Sequence, residues 1–404
     1  MKRAAVLVLA MLAAGCAAPA ATVPVAPVAD PADAPRFLPP LVLPLACTSP
    51  QATGAGRCFE PTVAADPAGR IFVTQVFSGE IAVSEDGGAT WELRDGPDVP
   101  LPPPANQNDA MVHVDPSGRL YYSAIIVHHG LPPVAARSVQ VAWSDDGART
   151  WESRHLWAGA DPTVPVLDAD RQWLGFGADG EVYLTFGSHV GSAWFGRSLD
   201  RGETWGGWLP MAPSGPSAID AAGRVFVPSC DFARGRALVH VSTDRGMTFE
   251  ERVVSDEGGC GYQPRLVVLP EDVLVVAWYT FLGPDHLGPG GLTIRTAFSN
   301  DAGATWSASQ EWAAWARVAA WPVARGDGLL DLVWLGGEDV SEARAATGPH
   351  DGTPIRDDVA ASIERPEGDP VGTDFAHAAR AADGRLLIPI AQPDAVWLLM
   401  EAPT

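Results

Sequence analysis

One eight-residue pattern recurs five times along the chain and constrains its fold more than any other feature. The copies are SEDGGATW, SDDGARTW, SLDRGETW, STDRGMTF and SNDAGATW, which begin at residues 84, 144, 198, 242 and 299. Their starts lie 44 to 60 residues apart, so the chain repeats one structural unit. Each copy follows an apolar run such as SVQVAWS, and Ser, Asp and Gly favour a tight turn between strands. We call these copies the Ser-Asp turns.

A second turn precedes each copy. It is found in DPAGRIFV at 66, DPSGRLYY at 115, GADGEVYL at 177 and DAAGRVFV at 220, with looser versions around Asp272, Gly328 and Gly384. The unit is therefore strand a, an Asp/Gly turn, strand b, a variable loop, strand c, the Ser-Asp turn and strand d. The pattern predicts an all-β fold, a β-propeller of four-stranded antiparallel blades, with seven blades favoured over six.

The pattern S-x-D-x-G-x-T-W resembles the Asp-box, or BNR repeat, of sialidases and related β-propellers, over roughly residues 59 to 306. The second copy departs from it, because its glycine comes one place early at Gly147. In that family the boxes lie at the rim of the blades, away from the ligand. The resemblance therefore implies a structural role for Asp86, Asp146, Asp200, Asp244 and Asp301.

Strand connectivity separates the two faces of such a disc. If strand a begins at one face, the a–b turns and the Ser-Asp turns both lie on the opposite face, which we call the turn face. The b–c loops and the starts of the inner strands lie on the first face, which we call the mouth face. Any ligand site is expected on the mouth face.

Alignment of the seven units on the glycine of the a–b turn gives one residue at the mouth of each inner strand. These residues are Glu60, Asp109, Arg171, Ser214, Gln263, Ala319 and Phe375. Two positions later come Thr62, Met111, Trp173, Pro216, Arg265, Trp321 and His377, and one position earlier come Asn108, Asp170, Tyr262 and Asp374. Inner strands surround the propeller axis, so these side chains are expected to converge on a small-ligand pocket.

The predicted site residues follow from this alignment. The expected ligand contacts are Asn108, Asp170, Arg171, Gln263, Arg265, Asp374 and His377, and the catalytic candidates, if the protein is an enzyme, are Glu60, Asp109 and Tyr262. The alternative is a solvated ring of ion pairs, such as Arg171 with Glu60 or Asp109. The b–c loops place His128, His129, His189 and His286 on the same face, where histidines could titrate or coordinate a metal. No C-x-x-C, H-E-x-x-H or EF-hand spacing is present, so no metal and no cofactor is predicted.

The resemblance also implies what a sialidase would need, namely a tyrosine nucleophile assisted by a glutamate, an aspartic acid and three arginines that bind the substrate carboxylate. The opening inner strand reads RCFEPTV, in which Phe59 and Glu60 replace the expected arginine and its neighbour before Pro61. No tyrosine follows Tyr279. The sequence therefore favours a sialidase-like propeller that binds a glycan or docks an envelope protein. A carboxylate-based glycoside hydrolase is the alternative, and an exo-α-sialidase is a weaker one.

The N-terminal residues MKRAAVLVLAMLAAGC resemble the signal and lipobox of bacterial lipoproteins, in which the cysteine, here Cys16, is lipidated. Residues 1–16 are the expected signal, 17–40 an Ala/Pro-rich tether and 41–404 a single propeller domain. The expected location is the bacterial envelope, facing the periplasm or on the cell surface, with a lipid anchor as the only membrane contact. The protein is expected to be a monomer.

The composition limits the partners. The formal net charge is −22 and Lys2 is the only lysine, which argues against nucleic acid as a partner and against P-loop or Schiff-base chemistry. Four cysteines follow Cys16. Strand connectivity places Cys230 and Cys260 on one face, and Cys47 and Cys58 are close in sequence, so the predicted disulfides are Cys230–Cys260 and Cys47–Cys58. The last unit offers three strands, so the segment LVLPL at 41–45 is expected to supply its outer strand.

Overall fold

The chain folds as a seven-bladed β-propeller of four-stranded antiparallel sheets, as the repeat predicts. The computed structural model describes residues 35–47, 58–99, 105–129, 137–156, 163–164, 169–188, 193–212, 214–257, 259–261, 264–281, 292–316, 320–336, 342–352, 354–362 and 377–403. A compact unit spans Arg36–Thr404.

The first three blades each consist of four consecutive strands. Blade 1 contains β2 (Thr62–Ala65), β3 (Ile71–Thr74), β4 (Glu80–Ser84) and β5 (Glu92–Asp95). Blade 2 contains β6 (Ala105–Val114), β7 (Leu120–His128), β8 (Arg137–Ser144) and β9 (Glu152–Leu156). Blade 3 contains β10 (Ala169–Phe176), β11 (Val182–Ser188), β12 (Ala193–Ser198) and β13 (Gly206–Met211).

Blades 4 to 6 repeat the arrangement. Blade 4 contains β14 (Ala218–Ile219), β15 (Val225–Asp231), β16 (Arg236–Ser242) and β17 (Glu250–Ser255). Blade 5 contains β18 (Arg265–Val268), β19 (Leu274–Phe281), β20 (Leu292–Ser299) and β21 (Gln310–Ala316), with a 3-10 turn at Pro270–Asp272. Blade 6 contains β22 (Trp321–Ala324), β23 (Leu329–Gly336), β24 (Glu342–Pro349) and β25 (Arg356–Ser362). One residue pair, Ala316 with Gly336, joins the sheets of blades 5 and 6.

The last blade closes the ring with a strand from the start of the domain. It contains β26 (Ala379–Arg380), β27 (Leu386–Ala391) and β28 (Val396–Met400), and β1 (Leu41–Val42) pairs antiparallel with β28. This confirms that the segment at 41–45 completes the C-terminal sheet, whose edge would otherwise be unpaired. Contacts to the propeller already begin at Arg36, which lies 2.7 Å from Asp331 and 3.0 Å from Glu401.

The core lies between neighbouring blades, where apolar residues of adjacent sheets pack face to face. Between blades 1 and 2, Phe72 and Ile81 pack with Leu120 and Tyr122, all fully buried. The two disulfides are Cys47–Cys58 and Cys230–Cys260, as predicted. Disulfides favour an oxidising compartment for the protein. Among the described residues, no helix has the length and apolar character needed to span a bilayer.

The Ser-Asp turns share one hydrogen-bond network. In the first copy, Ser84 Oγ donates to Asp86 at 2.8 Å and accepts from the Gly88 backbone N–H, while the Thr90 N–H and hydroxyl both donate to Asp86. The same contacts recur at Asp146, Asp200, Asp244 and Asp301. The hydrogen bonds from Thr90 lower the pKa of Asp86 to about 2. These carboxylates are occupied by their own turns.

The irregular second copy keeps the same backbone shape. Ala148 adopts φ 70° where the other copies have Gly88, Gly202, Gly246 and Gly303, and the displaced Gly147 adopts φ 74°. Contacts between blades also place both kinds of turn on one face. Arg201 of a Ser-Asp turn lies 3.2 Å from Asp115 of an a–b turn, and Arg245 lies 3.2 Å from Asp179.

Candidate functional site

A charged residue in left-handed backbone conformation lies at the same mouth position of three blades, just before β2 and within β6 and β10. Glu60 has φ 40°, Asp109 has φ 49° and Arg171 has φ 55°. In blades 2 and 3 this residue lies in a β-bulge, since the strand register shifts between Asn108 and Met111 and again between Asp170 and Trp173. Bulges of this kind normally place glycine in the left-handed position, and they re-aim side chains near functional sites.

An ion pair joins the first and third of these mouths. Arg171 Nη1 donates to Glu60 Oε2 at 2.6 Å, and the side chains are 13% and 8% exposed. The pair therefore reaches from blade 1 to blade 3 past the inner strand of blade 2. Asn108, Asp109 and Asp170 are half-buried on the inner strands of blades 2 and 3. We call Glu60, Asn108, Asp109, Asp170 and Arg171 the mouth cluster.

The bulges are tied to one another through a buried glutamine. Gln172 follows Arg171 in the blade 3 bulge and is fully buried. Its Nε2 donates to the carbonyl oxygens of Asp109 and Ser123, the latter at 3.2 Å, so it links blade 3 to the blade 2 bulge. The Ala110 N–H in turn donates to the Val76 carbonyl of blade 1 at 3.2 Å. Contacts between blades thus hold the positions of successive mouths.

One layer deeper, the propeller axis is closed by a stack of large side chains. The Arg265 guanidinium carbon lies 4.2 Å from the ring centroid of Trp173 and 4.9 Å from that of Trp321, and Arg265 is 1% exposed. The Trp321 ring lies 4.1 Å from His377, whose Nδ1 accepts from the Val63 backbone N–H at 3.3 Å. Burial, together with His113 and Arg265, lowers the pKa of His377 well below 6.5. This neutral ring and the arginine sandwich form the axial plug.

The axis widens again on the other side of the plug. A cavity of about 600 Å³ lies among the inner strands of blades 1 to 4 and 7, with Trp321 and His377 in its wall. Asp66 and Asp115 of the a–b turns also line it, so the cavity lies toward the turn face. Burial lowers the pKa of His113, another lining residue, to about 4.

The structure therefore sorts the predicted contacts into two groups. Within the mouth cluster, Glu60 contacts Arg171, and Asn108, Asp109 and Asp170 lie on the inner strands of blades 2 and 3. Arg265 and His377 instead lie in the axial plug, because the side chains two positions after the mouth point to the axis and pack there. Tyr262, Gln263 and Asp374 lie outside the described residues. Gln172 was missed, since an amide next to a charged residue carries no sequence signal of its own.

The predicted face histidines have different surroundings. His128, at the end of β7, contacts Ser138 and the His155 ring. Burial lowers the pKa of His128, and burial together with His128 lowers the pKa of His155 to about 4. His129 is exposed. His189 and His286 lie outside the part of the chain that the structure describes.

No protein-family model matches the chain, and no curated protein matches it. Among solved structures, YCF48 bound to D1 peptide is 14% identical, with 92% of this chain and 98% of that chain covered and a TM-score of 0.52. A streptogramin B lyase is 11% identical, with coverage of 85% and 95% and a TM-score of 0.51. The Hadza microbial sialidase Hz136 is 19% identical over 72% of this chain and 66% of its own length, with a TM-score of 0.48. The sheet topology identifies the chain as a seven-bladed β-propeller, and the two likenesses with TM-scores above 0.5 support the fold alone.

Proposed function

We propose that this protein is an exported β-propeller that binds a glycan or another cell-envelope ligand at the mouth cluster. The observation that carries the proposal is the left-handed backbone shared by Glu60, Asp109 and Arg171 in three successive blades. For a residue other than glycine, this conformation costs about 1 to 2 kcal/mol. Glycine would remove that cost, so three charged side chains at these positions favour a role that needs the side chains themselves.

The charges of the cluster favour an uncharged, hydroxyl-rich ligand over a carboxylate-bearing one. Arg171 is held by Glu60 at 2.6 Å, and Arg265 is enclosed between Trp173 and Trp321. Neither arginine is arranged to bind a ligand carboxylate in the two-pronged way that arginine favours. The acids of the cluster accept hydrogen bonds, which suits the hydroxyl groups of a sugar. A sialic acid is therefore a poor fit.

A carboxylate-based glycoside hydrolase is the second candidate. It is favoured by one observation, the equivalent mouth positions of Glu60, just before β2, and Asp109, within β6 of the adjacent blade. Hydrolysis needs one carboxyl group as acid and another as base or nucleophile on the two sides of the scissile bond. Exo-α-sialidase activity is less favoured, because it would also need arginines that can reach the substrate.

Export and anchoring complete the proposal. The N-terminal segment resembles a lipoprotein signal, and two disulfides favour an oxidising compartment. We expect Cys16 to carry the lipid and residues 17–40 to act as the tether. Cys16→Ser should move the protein from the membrane fraction to the soluble fraction. Unchanged membrane association of this variant would contradict the lipid anchor.

One screen tests the proposed activity. The purified protein is applied to a glycan array and, in parallel, to a panel of fluorogenic glycosides. We expect saturable binding to a set of neutral glycans, lost in Asp109→Asn, and no release of fluorophore. Fluorophore release that is lost in Glu60→Gln or Asp109→Asn would establish the hydrolase instead. Absence of both binding and release would contradict a glycan function.

A further inference from the structure

The inner strands change from large to small residues just beyond the axial plug. Seven positions before the a–b turn glycine, blades 3, 6 and 7 carry the plug residues Trp173, Trp321 and His377. Five positions before the same glycine, blades 1, 3, 4 and 7 carry Ala64, Gly175, Ala218 and Ala379. All four small residues line the cavity of about 600 Å³. The cavity exists because side chains large enough to fill the axis are missing from this layer.

The wall of the cavity is mainly apolar. The next position along the strand, four before the turn glycine, also lines it in four blades, with Ala65, Val114, Phe176 and Ile219. These four side chains are half-buried, so each keeps apolar surface that its own blade does not cover. Protein interiors are otherwise closely packed. Concave, mostly apolar cavities of about 300 to 1,000 Å³ are typical of small-molecule sites.

The charged groups of the wall are paired within the protein. Asp66 lies 2.5 Å from Arg70 Nε, and Asp115 accepts from the Ser117 N–H at 2.9 Å. Arg380 binds Asp331 and donates to the Ala324 carbonyl at 3.0 Å. An ion that entered the cavity would lose hydration without gaining a charged partner, which costs free energy. The cavity therefore favours an uncharged ligand.

One wall of the cavity combines an aromatic surface with a neutral imidazole. The rings of His113 and Phe176 have centroids 6.2 Å apart, and both residues line the cavity. Burial lowers the pKa of His113 to about 4, so the ring is uncharged at neutral pH. A neutral imidazole has one donor nitrogen and one acceptor nitrogen. His113 Nε2 lies 3.4 Å from Ser123 Oγ, which is a long contact for a hydrogen bond.

We propose that this cavity is a second binding site, for an uncharged small molecule with an aromatic body and a hydroxyl group. The aromatic body covers the half-buried apolar wall and packs against Phe176, and the hydroxyl group binds His113. Exposed a–b turn residues at the edge of the cavity, Pro67, Pro116 and Ala382, mark the entrance from the turn face. The axial plug separates the cavity from the mouth cluster, so the proposal does not depend on the ligand of that cluster.

Binding of 2-naphthol to the full chain tests the proposal by isothermal titration calorimetry. We expect one saturable site per chain, and a Kd raised roughly tenfold or more in Ala65→Phe, because the new ring occupies the cavity. The matched control is Ala324→Phe. Ala324 holds the same repeat position in blade 6 and is also half-buried, but it is not part of the cavity wall. Its variant should keep the wild-type Kd.

The charge of the ligand is tested with 2-naphthoate, which has the same ring system and a carboxylate in place of the hydroxyl group. Its Kd should be roughly tenfold or more above that of 2-naphthol, because the carboxylate finds no charged partner in the wall. Absence of saturable 2-naphthol binding, an equal loss in Ala324→Phe, or equal affinity for the two compounds would overturn the proposal.

A second measurement uses the wild-type chain and therefore does not depend on the folding of Ala65→Phe. Crystals soaked with 6-bromo-2-naphthol are examined for the anomalous signal of bromine. We expect a peak inside the cavity beside Phe176. Bromine found only outside the cavity, or absence of any peak at a concentration that saturates binding in solution, would overturn the site.

Discussion

Glu60 and Arg171 form an ion pair that joins blade 1 to blade 3, with 2.6 Å between Glu60 Oε2 and Arg171 Nη1. Both residues have left-handed backbone, so the pair connects two strained positions. A buried pair of this kind adds little net stability, whereas removing one partner takes the ion-pair contact away from the other buried charge. The pair thus organises the mouth more than it stabilises the fold.

A double-mutant cycle measures the interaction free energy between Glu60 and Arg171. Glu60→Gln and Arg171→Met should each lower the free energy of unfolding by roughly 3 kcal/mol, the usual cost of breaking a buried pair. The double variant should lose less than the sum, because the interaction between the two side chains is lost already in either single variant. Denaturant unfolding provides the free energies. Strictly additive losses would show that the two side chains are not coupled.

The left-handed backbone at Asp109 predicts an unusual order of stability between two variants. Asp109→Gly and Asp109→Ala both remove the carboxylate, but only alanine keeps a Cβ in the strained conformation. The glycine variant should be the more stable by about 1 kcal/mol. At Asp170, whose φ is not positive, the alanine variant should be the more stable one. Glycine relieves no strain there and only increases the conformational entropy that the unfolded chain loses on folding. If the glycine and alanine variants had the same order of stability at both positions, the backbone strain proposed for Asp109 would be contradicted.

One Ser-Asp turn and one a–b turn offer a matched pair of glycines. A Cβ at Gly88 (φ 99°) would lie 2.7 Å from Met400 Sδ, whereas a Cβ at Gly69 (φ 92°) would meet nothing within 4 Å. Gly69→Ala should cost about 1 kcal/mol from backbone strain alone. Gly88→Ala should cost about 0.5 to 1.5 kcal/mol more, roughly the cost of moving the flexible end of Met400 off its preferred rotamer. Equal melting temperatures for the two variants would exclude the contact with blade 7 as the reason for Gly88.

Acid should weaken the fold through buried histidines. The pKa of His113 is lowered by burial to about 4, while an unfolded imidazole titrates near 6.5. Between these values the unfolded chain binds a proton that folded His113 does not, so stability falls as the pH drops from about 6.5 to 4. His113→Gln should reduce the slope of unfolding free energy against pH by up to about 1.4 kcal/mol per unit. An unchanged slope would show that His113 takes up its proton without unfolding.

The fold could be predicted from the sequence because the propeller repeats one structural unit. The spacing of the Ser-Asp turns gives the number of residues in each blade. The alternating direction of the strands decides which turns lie on the turn face and which loops lie on the mouth face. The last unit has only three strands, which implies closure by residues 41–45. The Cys230–Cys260 disulfide follows from the same connectivity, and Cys47–Cys58 follows from the short separation of its cysteines. Each of these inferences needs only the order of turns and strands, and not the packing of any particular side chain.

The site was only partly predictable because it depends on local packing. Alignment of the units brought Glu60, Asp109 and Arg171 to equivalent mouths, and the Arg171–Glu60 pair was among the alternatives. The bulges, the links made by Gln172 and the burial of Arg265 between Trp173 and Trp321 depend on how closely the inner strands approach the axis. No residue pattern along the chain reports that distance.

The proposed ligand site at the mouth cluster is tested most directly by the affinity of one glycan for two single variants, each of which lacks one carboxylate. The strongest array hit is titrated calorimetrically into the wild type, Asp109→Asn at the mouth and Asp86→Asn on the turn face. We expect a Kd at least tenfold higher for Asp109→Asn, with its melting temperature nearly unchanged. Asp86→Asn should lower the melting temperature and leave Kd unchanged, because its carboxylate serves only its own turn. Wild-type affinity in Asp109→Asn, or lost affinity in folded Asp86→Asn, would contradict a ligand site at the mouth cluster.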